Sequence, residues 1–550
     1  MPCHAGSQSV CAAAPRSLLG AKLTVRFDCN PAGVFAAKSD SQSHTVRKHA
    51  VHPAPWIVRR LERHGVPAIL GVCAGLGFAP TNLWPLTFGA LVLLIGRTAS
   101  RARSRSAAID AATFGTALGV TSLGWIAEAF AWQDGIPAEL APVAVVVLSG
   151  YLALYWAAAF GLAHRLARGD RLAFALAAAP LFVLAEWTRG IVFTGFGWNP
   201  LGAVWLSVPD ISLNAAIFGT LGLSGLTVLC AGLVASAASG DRHAAILATL
   251  VGAELLAFPK PTIPPDTAQS ISVVQANIGQ DAKWREGSRD RNLDQYLRLT
   301  RRSPGAATSR MIFWPEAAIT EPLEDNASLR ATLANALRPG EMLMTGSIGG
   351  TADGAPTNSV FLVGDKGEIL GRYDKQHLVP FGEYLPFRPI ASAIGWDKFV
   401  SGTSDLVAGP ADTVISAGGP VASVAICYEI SFAREVASRE TRPAFIFNPS
   451  NDAWFGPHGP PQHLSQARMR AIEFGLPVIR ATQTGISAVI RSDGSVAASI
   501  PTDRAGRLNT SMPAALPPTV YARLGDLVPL GAAAVLLAFA FWRRWRLACG

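Results

Sequence analysis

Three polar residues stand where short apolar runs end, and together they make a complete kit for acyl transfer. Glu316 closes Ile312-Phe313-Trp314-Pro315-Glu316, Lys375 lies in Arg372-Tyr373-Asp374-Lys375 just after Ile369-Leu370, and Cys427 ends Val424-Ala425-Ile426-Cys427. A thiolate attacks a carbonyl, a carboxylate relays protons, and an ammonium stabilises the tetrahedral oxyanion. Each residue also has a plainer reading. A strand-end cysteine can be a small buried hydrophobe, Glu316 can cap a following helix, and Lys375 can be an exposed charge. Cys427 is the only cysteine between Cys230 and Cys549, so in an oxidising compartment it has no disulfide partner within its domain, which favours a thiol kept for use. The ten histidines are scattered without Cys or His at ligand spacing, and His458 and His463 lie in loop-like sequence suited to substrate or structural roles. With no Gly-rich phosphate loop either, no metal and no cofactor is implied.

To meet, these residues need a folded scaffold. From about 270 to 518 the chain alternates short β-like runs with turns and helical stretches. Strands are expected at Ile271–Asn277, Met311–Trp314, Met342–Ser347, Asn358–Val363, Val421–Ile426, Ala444–Asn448, Val478–Thr482 and Ser487–Arg491. Helices are expected at Arg289–Arg302, Asn326–Leu337 and Gln462–Glu473, and hairpin turns at Gly364-Asp365 and Asp493-Gly494. Such a pattern makes an α/β or α+β layered domain. In open sheets, ligands bind beyond the strand ends, where residues from distant strands meet.

The rest of the chain is of another kind. Of 550 residues, 50% are apolar and only 15% charged, against roughly 25% charged in a typical soluble domain. Between Val66 and Phe258 lie apolar stretches at about 66–80, 83–96, 107–129, 139–163, 172–191, 211–239 and 243–258, with another at about 527–542. Each is long enough, or nearly so, to cross a roughly 30 Å hydrocarbon core. The first two share one apolar run that divides at Pro80-Thr81-Asn82.

Loop charges give an orientation. Arg59, Arg60 and Arg63 precede the first stretch; Arg97, Arg101, Arg103 and Arg105 follow the second. Arg165, Arg168 and Arg171 follow the fourth, Arg242 the sixth, and Arg543, Arg544 and Arg546 the last. Arg189 is the main exception. Basic loops stay cytoplasmic, so seven spans deliver the layered domain to the far side and the eighth returns the tail. The net charge of +9 is then largely a topology signal, and a nucleic-acid surface is not implied. The expected organisation is a disordered extension or a misassigned start over 1–55, a membrane domain of seven helices over 56–258, and a catalytic domain over 270–518. A C-terminal transmembrane helix over 526–543 and a cytoplasmic tail over 544–550 complete it. Pro259-Lys260-Pro261 and Pro264-Pro265 form a stiff joint.

Trp314-Pro315-Glu316, Tyr373-Asp374-Lys375 and Cys427-Tyr428-Glu429 resemble the Glu–Lys–Cys triad of the nitrilase, or carbon–nitrogen hydrolase, superfamily. The run from Lys375 to Tyr384 (KQHLVPFGEY) and Asn451-Asp452-Ala453-Trp454-Phe455-Gly456 are similar to the apolipoprotein N-acyltransferase family within it. So are Gln462-His463, Arg470-Ala471-Ile472-Glu473 and Phe196-Gly197-Trp198-Asn199-Pro200. The resemblance covers about residues 56–546 and implies eight spans with a periplasmic αββα sandwich before the last, in the bacterial inner membrane. It implies Cys427 as nucleophile, Glu316 as general base and Lys375 as oxyanion stabiliser that also lowers the thiol pKa. Glu383 would help position the triad, Tyr428 and Glu429 would line the site, and Trp284 would lie near substrate. Gln483, in Arg480-Ala481-Thr482-Gln483, stands where the family pattern has Asn.

The implied reaction is an exchange through a thioester. Cys427 takes an acyl chain from a phospholipid and passes it to the α-amino group of an S-diacylglyceryl cysteine on an apolipoprotein. The apolar, Pro- and Gly-containing segment from Val379 to Asp405, with Phe381, Tyr384, Leu385, Phe387, Ile390, Ile394, Trp396 and Phe399, suits a flap at the membrane interface. The same catalytic residues would equally serve a membrane-anchored amidase hydrolysing carbon–nitrogen bonds. A transporter with an inactive extra domain is the third reading. Intramembrane charges are expected for it, and the stretches hold few: Asp110 and Glu128 near ends, Glu186 and Glu254 deeper.

Overall fold

The computed structural model describes residues 64–549 except 131–136, 286, 302–309, 394–404, 411–413, 417–418 and 438–440. The expectations for residues 1–55 and for Ile394, Trp396 and Phe399 fall outside the described residues.

The N-terminal part is helical: α1 Val66–Gly75, α2 Trp84–Ala99, α3 Ser104–Leu123, α4 Ala141–Ala167, α5 Arg171–Arg189, α6 Ala215–Ala237 and α7 Arg242–Leu256. The apolar run shared by α1 and α2 breaks at Pro80-Thr81-Asn82. There the Thr81 hydroxyl donates to the Leu76 and Phe78 carbonyls at 2.6 and 2.9 Å. Three segments, Ala138–Ala167, Arg171–Arg189 and Ala215–Ala237, are long and apolar enough to cross a membrane, while α1, α2 and Leu527–Arg543 are shorter apolar helices. Small residues bring these helices close: Gly71 of α1 faces α3, and Gly232 of α6 faces Ala175 of α5. Ile69, Leu93, Val147, Leu154, Leu250 and Val535, spread over five helices, all point outward. An apolar surface spread over so many helices is stable against lipid tails rather than water.

The C-terminal part is a four-layer sandwich. One sheet has the order β12-β1-β2-β3-β4-β5, from β1 Ser270–Gln275, β2 Arg310–Phe313, β3 Met342–Gly350, β4 Pro356–Val363, β5 Ile369–Asp374 and β12 Gly506–Ser511. The other has the order β11-β10-β9-β8-β7-β6, from β6 Val414–Ile415, β7 Ala422–Val424, β8 Phe445–Ser450, β9 Val478–Thr482, β10 Ser487–Ile490 and β11 Val496–Ile500. Each sheet has a parallel centre (β1-β2-β3 and β7-β8-β9) with antiparallel strands outside it. Val273, Phe313, Met344 and Leu362 of one sheet pack on Val424, Phe447, Ile479 and Val489 of the other.

Helices cover both outer faces. Among α8 Gln280–Trp284, α9 Arg289–Arg301 and α10 Ala327–Ala334, the last two set Tyr296, Leu297, Leu329 and Leu333 against Ile312, Leu343 and Phe361. On the opposite face α11 Gly459–Phe474 sets Ala467, Ala471 and Phe474 against Ile446, Val478 and Ile490. Central parallel strands buried on both faces read as continuous apolar runs, which is why Met311–Trp314 reads as a strand. β11 and β12, at the sheet edges, carry mixed polar and apolar residues and lack that signal. The chain then passes to α12, Leu527–Cys549.

The other outward face of α11 closes the molecule. Met469 and Ile472 pack on Ala203, Leu206, Leu213, Ala215 and Leu223 of the membrane part. A buried ion pair, Arg470 Nε to Glu473 Oε2 at 2.9 Å, lies in the same seam, and the Thr220 N–H donates to Glu473 Oε1 at 2.6 Å.

One glycine of β3 sets the path of the loop that follows β2. A Cβ on Gly346 would lie 2.7 Å from Glu316 Cα and 2.7 Å from the Pro315 oxygen, and closer still to the Ala317 nitrogen. Gly346→Ala is therefore expected to lower stability by about 1–3 kcal/mol through overpacking and to displace Glu316. Thermal unfolding of the detergent-solubilised protein checks this, and an unchanged melting temperature would contradict the close approach.

Candidate active site

The three residues singled out at strand ends converge. Glu316 follows β2, Lys375 follows β5 and Cys427 follows β7, so the fold gathers them at the edge where both sheets end. Glu316, Lys375 and Cys427 are 6%, 1% and 5% exposed. Lys375 Nζ donates to Glu383 at 2.9 Å and stands 3.5 Å from Glu316 Oε1. The Glu316 carboxylate also accepts from the Asn358 side-chain amide at 2.7 Å and from the Asn451 backbone N–H at 2.7 Å.

These contacts decide the protonation states. Burial works against charge on Glu316, but the Lys375 ammonium, the Asn358 amide and Lys283 outweigh it and hold the carboxyl below its usual range. Burial likewise opposes charge on Lys375, and Glu383 and Glu316 more than compensate, keeping it an ammonium. The Cys427 thiol is pushed well up, first by burial and then by the Glu316 charge, while Lys375 pulls it down. Lys375 does lower the thiol pKa, as expected, but desolvation and the neighbouring carboxylate outweigh it and the net direction is upward. A neutral thiol beside an ionised carboxylate and a fixed ammonium is the resting arrangement for general-base activation.

Cys427 has φ 51 and opens a short 3-10 turn, Cys427–Ser431. A non-glycine residue in the left-handed region needs support from its surroundings. Glu429 supplies part of it. Its carboxylate accepts from the backbone N–H groups of Ile426 (2.6 Å), Gln376 (2.7 Å) and His377 (3.0 Å) and from the Tyr373 hydroxyl (2.9 Å). It thus clips the turn that carries the thiol to the loop that carries the lysine. Burial raises this carboxyl to about 7 against the pull of Lys375 and those N–H groups.

Of the other expected site residues, Glu383 holds the ammonium and accepts from the Asn358 amide (2.9 Å) and the Val379 N–H (2.7 Å). Tyr428 points toward the membrane part, stacked near Trp198 with ring centroids 6.4 Å apart. Trp284 ends α8, and its side chain lies outside the described residues. Gln483 donates from its amide to the Glu316 carbonyl at 2.7 Å, so the longer side chain pins the backbone of Glu316. His463 lies inside α11 rather than in a loop, because the helix begins at Gly459.

Two residues were missed. Asn358 bridges Glu316 and Glu383 through one amide nitrogen, and the signal for it is an Asn inside a β-strand, where Asn is disfavoured. Lys283 is 5% exposed and within electrostatic reach of Glu316 and Cys427. Gln280 brings its helix there by accepting from the Asn451 side-chain amide at 3.2 Å. In sequence Lys283 is one more charge in a polar stretch. It also borders a cavity of about 190 Å³ beside the Glu316 loop, shared with Tyr296, Ala317 and Gln483. Ligand pockets typically run to roughly 300–1,000 Å³, so this one has room for water rather than an acyl chain. On the solvent side, Phe381 and Phe387 of the expected flap are 56% and 68% exposed, whereas Leu385 is buried.

Burial pushes Lys283 down to about 8 against the pull of Glu316 and Cys427, compared with about 10.4 when unfolded. Between those values the unfolded chain binds more protons, so this lysine makes stability rise with pH across that window. Lys283→Met is expected to remove that part of the slope, measured as the difference between the two proteins in denaturant unfolding from pH 7 to 10.5. Parallel curves would contradict the burial of this charge.

The sequence matches two family descriptions, Apolipoprotein N-acyltransferase N-terminal domain over residues 70–233 and Carbon-nitrogen hydrolase over residues 270–516. It is 38% identical over 509 residues to the apolipoprotein N-acyltransferase of Bradyrhizobium diazoefficiens, covering 86% of this chain and 93% of that one. With the protein of the same name from Rhodopseudomonas palustris it shares 35% identity over 87% of this chain and 94% of the relative. With that of Ralstonia nicotianae it shares 33% over 87% and 93%.

Proposed function

The chain belongs to the apolipoprotein N-acyltransferase family and is an acyltransferase, and from that premise we propose that it moves a fatty acyl chain from a phospholipid to a lipoprotein amine. The acceptor is the α-amino group of an S-diacylglyceryl cysteine, and the intermediate is a thioester on Cys427. One observation carries this reading. A thiol, an ionised carboxylate and an ammonium share a buried pocket, with Lys375 Nζ 3.5 Å from Glu316, and Tyr428 beside the thiol packs on the membrane part.

In the first half-reaction Glu316 takes the Cys427 proton as sulfur attacks the ester carbonyl carbon. The oxyanion is stabilised by the Lys375 ammonium, and its collapse breaks the bond to the glyceryl oxygen. That oxygen receives the proton from Glu316 and leaves as lysophospholipid. In the second half the neutral α-amine attacks the thioester carbon and gives its proton to Glu316. The intermediate then expels sulfur, which is reprotonated, leaving an amide and the resting thiol. Glu383 and Asn358 keep Lys375 and Glu316 in place through both halves. Trp284, as a residue near substrate, completes the site together with Tyr428 and with Glu429 beneath the turn.

The arginine pattern supports an inner-membrane topology of eight spans: seven over 56–258, the catalytic domain over 270–518 in the periplasm, and a last span over 526–543 that returns residues 544–550 to the cytoplasm. Hydrolysis of the thioester is slowed by excluding water, and the segment from Val379 to Asp405 serves as the apolar flap. Its exposed Phe381 and Phe387 are suited to the bilayer interface, where aromatic rings gather.

In cells depleted of the native enzyme, wild-type protein is expected to restore the N-linked acyl chain on lipoprotein N-termini, and Cys427→Ala is expected not to, as read by mass spectrometry. Full triacyl product with the alanine variant would defeat the assignment. Phe387→Asp is expected to weaken use of vesicle phospholipid about tenfold, on the order of the burial of one aromatic side chain at an interface, with an unchanged melting temperature. Unchanged lipid kinetics would defeat the flap.

A further inference from the structure

Gln462 and His463 are neighbours on α11 and face two different parts of the molecule. Gln462 is 3% exposed. Its Oε1 accepts from three groups at 2.9 Å each: Trp125 Nε1, Trp198 Nε1 and Asn199 Nδ2. Its Nε2 donates to the Ser122 carbonyl at 2.8 Å. All four partners belong to the membrane part, at the end of α3, just beyond it, and in the loop after α5. An amide oxygen has two lone pairs, so three convergent N–H donors fix its position more tightly than an ordinary single bond.

His463 is fully buried and faces the nucleophile. Its Nε2 is 2.9 Å from the Cys427 carbonyl oxygen and its Nδ1 is 2.8 Å from Asp452 Oδ1. A carbonyl only accepts, so Nε2 carries the proton in that contact. Asp452 is itself held by Arg480 at 2.6 Å. Rings fill the space between: Trp198 lies 5.1 Å from the His463 ring, Phe455 5.6 Å from it, and Trp125 4.6 Å from Phe455. The residue at the end of this chain, Cys427, is the one with a left-handed backbone. That conformation is strained outside glycine and persists only where neighbours enforce it.

We propose that Gln462 and His463 are positioning residues through which the membrane segment holds the backbone of Cys427 in its reactive conformation. The helices are then part of the catalytic apparatus and not only an anchor. Loss of the clasp leaves thiol, base and ammonium present but misaligned, and a misplacement near 1 Å is enough to slow an oriented reaction about 100-fold. This rests on Cys427 being the nucleophile.

The test uses the full chain in phospholipid-containing micelles. Gln462→Leu removes all four bonds, and Trp125→Phe removes one donor from the membrane side while keeping a ring in place. The readouts are the single-turnover rate of acyl-enzyme formation at saturating phospholipid, the half-saturating lipid concentration, and the rate of Cys427 alkylation by iodoacetamide. The clasp predicts an acylation rate lower by about 10- to 100-fold in Gln462→Leu, a smaller loss in Trp125→Phe, slower alkylation in both, and half-saturating lipid within about threefold of wild type. Wild-type rates in both variants, or a loss confined to the half-saturating concentration, overturn the coupling. If Gln462→Leu does not fold, Trp125→Phe decides alone. A wild-type protein that forms no adduct with phospholipid removes the acyl-transfer reading instead. The alkylation rates then decide the coupling, with slower alkylation supporting it and wild-type alkylation ending it.

Discussion

The buried ammonium of Lys375 is the interaction on which the rest depends. It lies between two carboxylates, Glu316 and Glu383, in a place where an unpaired charge would not survive. Removing one member of a buried pair typically costs about 3–5 kcal/mol, because the other is left uncompensated. The pair therefore orders the loops after β2 and β5 as well as fixing protonation states. With Lys375 charged and Glu316 ionised, the thiol rests neutral beside a carboxylate able to accept its proton. Lys283 and Lys375 are both within electrostatic reach of Cys427, so a negative charge on its sulfur meets two cations.

The sandwich exists, in functional terms, to bring three strand ends to one point. Glu316 comes from one sheet's parallel centre and Cys427 from the other's, while Lys375 comes from an antiparallel strand joined by a hairpin. No two of them are close in sequence, so the site forms only when both sheets have formed and packed. Small devices then set the positions. Gly346 leaves room for the Glu316 loop, Gln483 pins that loop through its backbone, and Glu429 joins the cysteine turn to the lysine loop. Each acts on main chain rather than on a reacting atom. On the other side, α11 shares its buried face between the sheet and the membrane helices, so the two parts of the chain are packed as one body around the thiol.

Much of this was legible in the amino-acid sequence, for reasons that differ from residue to residue. Glu316, Lys375 and Cys427 stand out because a polar residue at the end of an apolar run is unusual and because the three types make sense together. The central strands are legible because burial on both faces leaves continuous apolar runs. β11 and β12 escape notice because a strand at a sheet edge can be polar. Asn358, Lys283 and the Gln462 clasp escape for a different reason. Their significance lies in what faces them, from 25 to 340 residues away along the chain, and periodicity carries no information on contacts of that range. The direction of the Cys427 shift is of the same kind. Counting a nearby lysine suggests a lower pKa, while the depth of burial, a property of the packed fold, sends it the other way.

The account turns on whether sulfur of Cys427 becomes acylated. Incubating the purified protein with a phospholipid of defined acyl chains and mapping its peptides by mass spectrometry tests this directly. The predicted result is one acyl chain on the peptide that contains Cys427, released by hydroxylamine as a thioester is, and discharged on adding a diacylglyceryl peptide with a free amine. An acyl chain found on another residue, or an unmodified Cys427 in protein that still makes N-acylated product, would contradict it.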